Sequence, residues 1–273
     1  HDALPISAAA ALGTFEASPE SRLTVLLDQL QETANFSYSA PAAALKKSCD
    51  EFYPLLKAIA EDVEQDEARR GIALLSVMEL MENSEFNTDE RKLQVGKLAQ
   101  SLVGEEQPAT VRGAAAVVMR SYSPDKDSEN PPQVPALLAG LGDGKHVEIS
   151  RLCARSIAYN EIAEGIPALI KTLEVENESL RDTVIDALAD FEDVATDAIP
   201  ALLKIAKNPK ATNRTDAIFA IGRIGTQHEI TMPALTALLS DESEYVRNQA
   251  VTAIADVVVT NDLDASSVIP KIV

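Results

Sequence analysis

The chain has 273 residues, of which 46% are hydrophobic and only 4% aromatic, and it contains no Trp. Its apolar residues are therefore mostly Ala, Leu, Ile and Val, which suit packed helices better than an aromatic ligand pocket. The net charge is -19, and the acidic excess is spread over both halves of the chain. Because nucleic acids and anionic membranes are bound mainly through Lys and Arg, this charge argues against both as partners.

The first six residues, HDALPI, do not match the pattern that follows them. One back-translation of residues 1–6 matches the end of a common short-read sequencing adapter, and no Met precedes them. We therefore expect residues 1–6 to be a sequencing artefact in a metagenomic fragment. The location of such a fragment is unknown, with the cytoplasm as the default expectation.

Residues 7–92 show apolar positions at helical spacing that repeat only loosely. Residues 22–52 predict one helix pair with a loop at residues 35–39. Residues 53–81 predict a second pair that opens with Tyr53-Pro54, because Pro is tolerated in the first turn of a helix, where its missing N–H needs no partner.

Residues 93–273 repeat more clearly. Residues 93–119 predict a helix pair, and residues 121–133, rich in Pro and charge, predict a long loop between repeats. After this loop an apolar residue followed by Pro recurs at intervals of 32, 33, 33 and 37 residues, and each dipeptide predicts the start of a helix. The dipeptides are Val134-Pro135, Ile166-Pro167, Ile199-Pro200, Met232-Pro233 and Ile269-Pro270.

A second helix follows the first in each unit, and an Arg stands near its start in most of them. These arginines are Arg112, Arg181, Arg214 and Arg247, with Arg69 or Arg70 in the looser first half. Each unit is thus two amphipathic helices that cannot bury their apolar faces alone. Neighbouring units must stack to form a continuous core.

These units resemble HEAT repeats, whose signature is an early Pro in the first helix and a Val-Arg or similar dyad opening the second. The best matches are YVRNQAVTAIADV at residues 245–257 and TVRGAAAVV at residues 110–118. The resemblance implies an all-α fold, a right-handed α-solenoid of stacked antiparallel helix pairs. It would form a single domain over residues 7–273, truncated at both ends, with degenerate repeats at 7–92 and clear ones at 93–273.

Some proteins with such repeats are enzymes, and the residues test two of these activities. A deoxyhypusine hydroxylase would need several His-Glu dyads to hold two irons, whereas this chain has the single dyad His228-Glu229 and, beyond His1, only His146. A DNA glycosylase of the alkylpurine type would need a basic groove with aromatic residues, whereas this chain is acidic and contains no Trp. We therefore expect no metal and no cofactor, while a bilin-lyase-like activity has no spacing motif to test.

Other candidate sites have simpler structural interpretations. Cys49 and Cys153 are single and distant, so they predict buried apolar residues and not a disulfide or a metal site. GLGDGK at residues 140–145 is similar to a phosphate loop but follows a predicted helix, so it predicts a turn between helices. The recurring Arg could bind acidic ligands, but stacking favours a contact with a carboxylate or a helix C-terminal carbonyl of the neighbouring repeat.

In HEAT proteins the second helices usually line the concave face, which is where the resemblance places a partner. Positions one, five and nine residues after each Arg lie about a whole turn apart and should face outward. They are Asp182, Asp186, Asp190, Thr215, Phe219, Arg223, Asn248, Thr252 and Asp256. An outward Phe219 beside aspartates would suit a partner; the alternative is that Phe219 belongs to the core.

The sequence therefore favours a non-catalytic protein interaction scaffold with an extended surface. The alternatives are a bilin-lyase-like protein and an accessory solenoid domain of a larger multidomain enzyme. A last repeat that is cut after its opening turn is also expected to expose apolar residues and to self-associate. These residues are Val268, Ile269, Ile272 and Val273.

Overall fold

The computed structural model describes residues 18–31, 39–122, 133–143 and 146–263. Within these ranges the secondary structure is fourteen α-helices and two short 3-10 helices, with no β-strand. The chain divides into two compact units, residues 1–153 and 154–273, with the boundary inside one helix. The all-α prediction is confirmed.

The described residues of the first unit form seven helices and the start of an eighth. They are α1 (Pro19–Gln31), α2 (Ala40–Leu45), α3 (Cys49–Glu61), α4 (Glu67–Met81), α5 (Asp89–Leu102), α6 (Ala109–Tyr122), α7 (Gln133–Asp143) and α8 (Val147–Tyr159). Helix α4 is the centre of this unit, because it packs against α1, α3 and α6 and every residue from 70 to 77 is buried. A helix that is buried on all sides loses the usual polar stripe.

The described residues of the second unit form the end of α8 and three helix pairs. The pairs are α9 (Ile166–Thr172) with α10 (Glu178–Asp190), α11 (Ile199–Ala206) with α12 (Arg214–Ile224), and α13 (His228–Leu238) with α14 (Glu244–Thr260). The second helices α10, α12 and α14 also pack against one another in that order. Stacking of equivalent helices from successive repeats is the arrangement of an α-solenoid.

Two of the predicted helix starts are confirmed. Helices α9 and α11 begin at Ile166 and Ile199, and the Pro that follows each Ile lies in the first turn. Helix α7 begins one residue before Val134. The apolar-Pro dipeptide therefore marks the start of the first helix in these three repeats.

The same rule is wrong at two other prolines. Helix α3 begins at Cys49 and α13 at His228, so Pro54 and Pro233 lie inside their helices. Each Pro removes one backbone hydrogen bond near the helix start. The preceding residues nevertheless extend the helix by about one turn, since only the Pro itself lacks the N–H.

The predicted pair at residues 22–52 is also different in detail. Helix α1 is the first helix, but the second part is the six-residue helix α2, and a short turn then leads into α3. Most of the loop at 35–39 lies outside the described residues, as do residues 1–17 and 264–273 with the predicted cut repeats. Among the described helices, none is both long enough and apolar enough to cross a membrane.

Glycines set the closest approach between helices α6 and α7. A Cβ atom added to Gly140 would lie 2.6 Å from the Cα of Gly113 and 2.8 Å from the Sγ of Cys153. Such distances are far shorter than van der Waals contact. The two backbones can therefore pack this closely only because both positions lack a side chain.

We expect Gly140→Ala to lower the free energy of unfolding by roughly 1–3 kcal/mol, because the added methyl group forces α6 and α7 apart. Urea denaturation followed by circular dichroism measures this loss. Gly142→Ala is the matched control on the same helix, since a Cβ there meets nothing within 4 Å. It should be neutral or stabilising by about 0.5–1 kcal/mol, and equal losses in the two variants would contradict the close-packing argument.

Candidate partner-binding surface

The nine predicted surface residues lie on the second helices α10, α12 and α14, and none of them is buried. The exposed ones are Asp186, Asp190, Phe219, Arg223, Asn248 and Thr252, and the partly exposed ones are Asp182, Thr215 and Asp256. Phe219 is 44% exposed. The alternative that placed Phe219 in the core is therefore wrong.

Acidic side chains from α10 and α12 form a cluster on this surface. Asp186 is exposed, but the surrounding atoms shield its carboxyl partly from water, which raises its pKa. The nearby carboxylate of Asp216 raises this pKa further, followed by those of Asp182 and Asp190. The cation of Arg155 opposes this rise. Partial shielding from water and the charge of Asp182 likewise raise the pKa of the exposed Asp216, against a backbone hydrogen bond that lowers it. Like charges thus repel one another where α10 and α12 meet.

Asp216 was not among the residues predicted from the sequence. It lies two residues after Arg214, beside the predicted row, and it faces the previous repeat closely enough to interact with Asp182 and Asp186. It also lies in the first turn of α12, three residues before Phe219. A search for acidic residues at both the first and second positions after the Arg could have found it.

The other charges of the surface are partly engaged. The side chain of Asp182 accepts a hydrogen bond from the Asn213 amide, and Arg223 lies 2.8 Å from a carboxylate oxygen of Glu192. The hydroxyl of Thr252 donates to the carbonyl of Asn248 within α14. Asp186, Asp190, Asp216 and the ring of Phe219 are exposed and can meet a partner.

The recurring arginines of the second unit fasten each second helix to the end of its own first helix. Arg181 Nε donates to the Leu173 carbonyl at 3.2 Å, Arg214 Nε to the Ala206 carbonyl at 3.0 Å, and Arg247 Nη1 to the Asp241 carbonyl at 2.8 Å. These carbonyls follow or end a helix and would otherwise lack a partner.

The same guanidinium groups also reach the next repeat. Arg181 donates to the side-chain oxygen of Asn213 at 3.1 Å, and Arg214 forms an ion pair with Asp241. Of these three arginines, Arg214 forms the predicted ion pair with a carboxylate of the neighbouring repeat. The carbonyls that the arginines contact belong to the same repeat and not to the neighbouring one. These three arginines are therefore occupied and do not form a free row for acidic ligands, whereas the buried Nε of Arg112 has no hydrogen-bond partner among the described residues.

Arg70 fills this role in the first unit. It is only 3% exposed, its Nε donates to the Ala60 carbonyl at 3.0 Å, and its Nη2 donates to the Gln107 side chain at 2.7 Å. Arg69 instead pairs with Asp28 on the surface. Of the two candidates that the sequence left open, Arg70 is therefore the equivalent of Arg181 and Arg214, and Arg69 is not.

The catalytic candidates do not converge on a site. Cys49 and Cys153 are buried as predicted, and burial raises the pKa of both thiols, so neither favours a reactive thiolate. In the described part of the chain no group of three His, Cys, Asp or Glu side chains could hold a metal ion. His228 is the first residue of α13. Gly140 to Asp143 are the last residues of α7, so this part of the predicted turn is helical.

An open groove on the first-helix side was not predicted from the sequence. It lies between α9 and α11, has a volume of about 620 Å³, and includes Ile170, Ile205, Lys171 and Lys204 among its lining residues. Its lysines fall at the same position of two successive repeats, which is the signal that could have revealed it.

Arg214→Met should lower the free energy of unfolding by roughly 2–4 kcal/mol, because it removes a carbonyl contact and leaves Asp241 largely buried without its cation. Arg247→Met is the control, since Arg247 donates to two backbone carbonyls and acts on Asp241 through its charge more weakly than Arg214 does. It should cost about 1 kcal/mol. Urea denaturation of both variants measures the difference. Arg214 lowers the pKa of Asp241, so the pair stabilises at neutral pH and this contribution is lost as the pH falls through the folded-state pKa.

Asp186→Asn should raise the free energy of unfolding at pH 7. The folded-state pKa of Asp186 is raised, so its charged form costs stability once the pH rises above that value, and the amide removes this cost. The gain should disappear below the ordinary Asp pKa of about 3.9, where the carboxyl is protonated in both states. Thermal unfolding across this pH range tests the sign. The exposed loop variant Glu176→Gln serves as control, and a gain that does not depend on pH would contradict repulsion within the cluster.

The match to a family model agrees with the helix pairs seen in the structure. The sequence model of a family described as HEAT repeats matches residues 134–222 and 199–269. No curated protein sequence matches the chain significantly.

Among solved structures, human deoxyhypusine hydroxylase in complex with glycerol is similar at 16% identity and a TM-score of 0.38, with 92% of this chain and 96% of that chain covered. An engineered protein is similar at 17% identity and a TM-score of 0.40, with 93% and 97% covered. Kap121p bound to Nup53p is similar at 12% identity and a TM-score of 0.45, with 92% of this chain and 29% of that chain covered.

The family match covers the repeats in which Pro begins the first helix and an Arg fastens the second helix to it. The repeats at residues 134–269 therefore belong to the HEAT-repeat family of α-solenoid proteins.

Proposed function

We propose that the chain is a non-catalytic scaffold that binds a partner protein through the second helices of its second unit. The observation that carries this proposal is the exposed ring of Phe219 beside the mutually repelling carboxylates of Asp186 and Asp216. Repulsion of this kind destabilises the free protein. A bound cation would relieve it, so the cluster favours a partner over no partner.

The chemistry of the surface defines the partner segment. Carboxylates from α10 and α12 would pair with Lys or Arg side chains of the partner. Phe219 would pack against an apolar side chain or the face of a guanidinium group. Thr215, Asn248 and Thr252 supply polar contacts around them. A basic segment with interspersed apolar residues meets all of these requirements.

The described residues include few groups that could catalyse the alternative activities. Its two histidines within the described residues, His146 and His228, are about 80 residues apart in sequence and belong to different units. Deoxyhypusine hydroxylase chemistry through several His-Glu dyads therefore has no support in the residues present. Attachment of a bilin remains the competing activity to be tested directly.

Fluorescence anisotropy with a labelled peptide of alternating Arg and Leu tests the proposal. Phe219→Ala should weaken binding roughly tenfold, as for a central apolar anchor, and Asp186→Asn with Asp216→Asn should weaken it similarly and reduce its salt dependence. Tyr159→Ala, which removes an aromatic ring that is 89% exposed on α8, should leave affinity unchanged.

Two results would overturn the proposal. One is a peptide affinity that is the same in the wild type and in the α10 and α12 variants. The other is transfer of a bilin to an apo-phycobiliprotein by the purified chain, which would show that the protein is catalytic. A peptide in which Gln replaces Arg should bind more weakly if the carboxylates are the determinant.

A further inference from the structure

The groove between α9 and α11 has an apolar floor and a basic rim. Its floor includes the partly exposed Ile170 and Ile205, and its rim carries one lysine from each helix and one from the following loop. These lysines are Lys171, Lys204 and Lys210. The volume of about 620 Å³ lies within the range of about 300–1,000 Å³ that is typical of ligand sites.

The charge of this groove is opposite to that of the chain. Residues 199–213 contain Lys204, Lys207 and Lys210 and neither Asp nor Glu, although the whole chain has a net charge of -19. Lys204 and Lys210 belong to the rim. None of the three rim lysines forms an ion pair with another described residue. In a protein with so many carboxylates, three unpaired ammonium groups around one apolar floor point to an external anion.

Two glutamates and one arginine also line the groove. Glu174 and Glu178 reduce its positive charge, whereas the guanidinium of Arg181 is held by the Leu173 and Val175 carbonyls. The cations still exceed the carboxylates. The lysines are concentrated toward α11 and its loop, so the potential is most positive there.

We propose that this groove binds an acidic amphipathic segment of a partner protein. The carboxylates of the segment pair with Lys171, Lys204 and Lys210, and its apolar side chains lie between Ile170 and Ile205. This surface lies on the first helices and binds the opposite charge from the surface on α10 and α12, so it is a second docking site beyond the proposed function.

The shape of the groove favours a peptide over a compact anion. Lys171 and Lys204 each lie five residues after the Ile that opens its helix, so equivalent cations repeat along the stack with apolar side chains beside them. An amphipathic helix in a groove uses this combination of charged edge and apolar floor. A small anion such as phosphate would make no use of the isoleucines.

Binding of a fluorescein-labelled peptide that combines Glu with Leu at helical spacing tests the proposal. The triple variant Lys171→Glu, Lys204→Glu, Lys210→Glu should weaken binding at least about tenfold, because three modest ion pairs become repulsive. The control Lys47→Glu, Lys57→Glu, Lys97→Glu changes three exposed lysines of the first unit by the same total charge and should retain binding. Circular dichroism confirms that both variants are folded.

Binding measurements with three other ligands distinguish an amphipathic peptide from other anions. Polyglutamate without Leu, inorganic phosphate and a single-stranded oligonucleotide should each bind much more weakly than the amphipathic peptide. Equal binding of any of these would overturn the peptide proposal, and so would equal losses in the two triple variants. Since the Arg-Leu peptide tests the α10 and α12 surface separately, either site can fail while the other stands.

Discussion

The fastening of each second helix by an arginine is the contact on which the rest of the second unit depends. Arg181 and Arg214 each close the turn of their own repeat through a backbone carbonyl and reach a side chain in the next repeat. One side chain thereby fixes both the angle within a helix pair and the register between pairs. Loss of the register would displace every surface residue that follows, since each repeat contacts only its neighbours.

Because the repeats stack in register, equivalent positions of successive repeats form rows on the surface. The close approach of Gly222 to Ala253 brings α12 against α14, and equivalent residues of successive second helices then lie side by side. The same stacking brings Asp216 near Asp182 and Asp186, at an electrostatic cost that packing elsewhere must offset. It also aligns Lys171 with Lys204 on the other side of the pair. Both candidate surfaces are consequences of one packing rule.

The repeat made most of this fold predictable, because Pro at a helix start and apolar residues at helical spacing are local signals. The helix starts at Ile166 and Ile199 were predicted correctly for this reason. Pro54 and Pro233 were misplaced because residues before a Pro can still form helical hydrogen bonds. Phasing from the arginines placed Phe219 outward, but Asp216 and the lysine groove depend on contacts between repeats, which the spacing within one repeat does not show.

The two candidate surfaces share one helix pair. Lys204 lies on α11, and Asp216 and Phe219 lie on α12, while residues 207–213 join the two helices. That joint is held by Arg214 at the Ala206 carbonyl and by Asn213, which contacts both Arg181 and Asp182. Asn213 is buried, so these contacts cannot be exchanged for water without local opening. A basic segment that draws Asp182 toward itself would therefore act on the same hydrogen bonds that position the loop carrying Lys210, which gives the two surfaces a physical route for coupling.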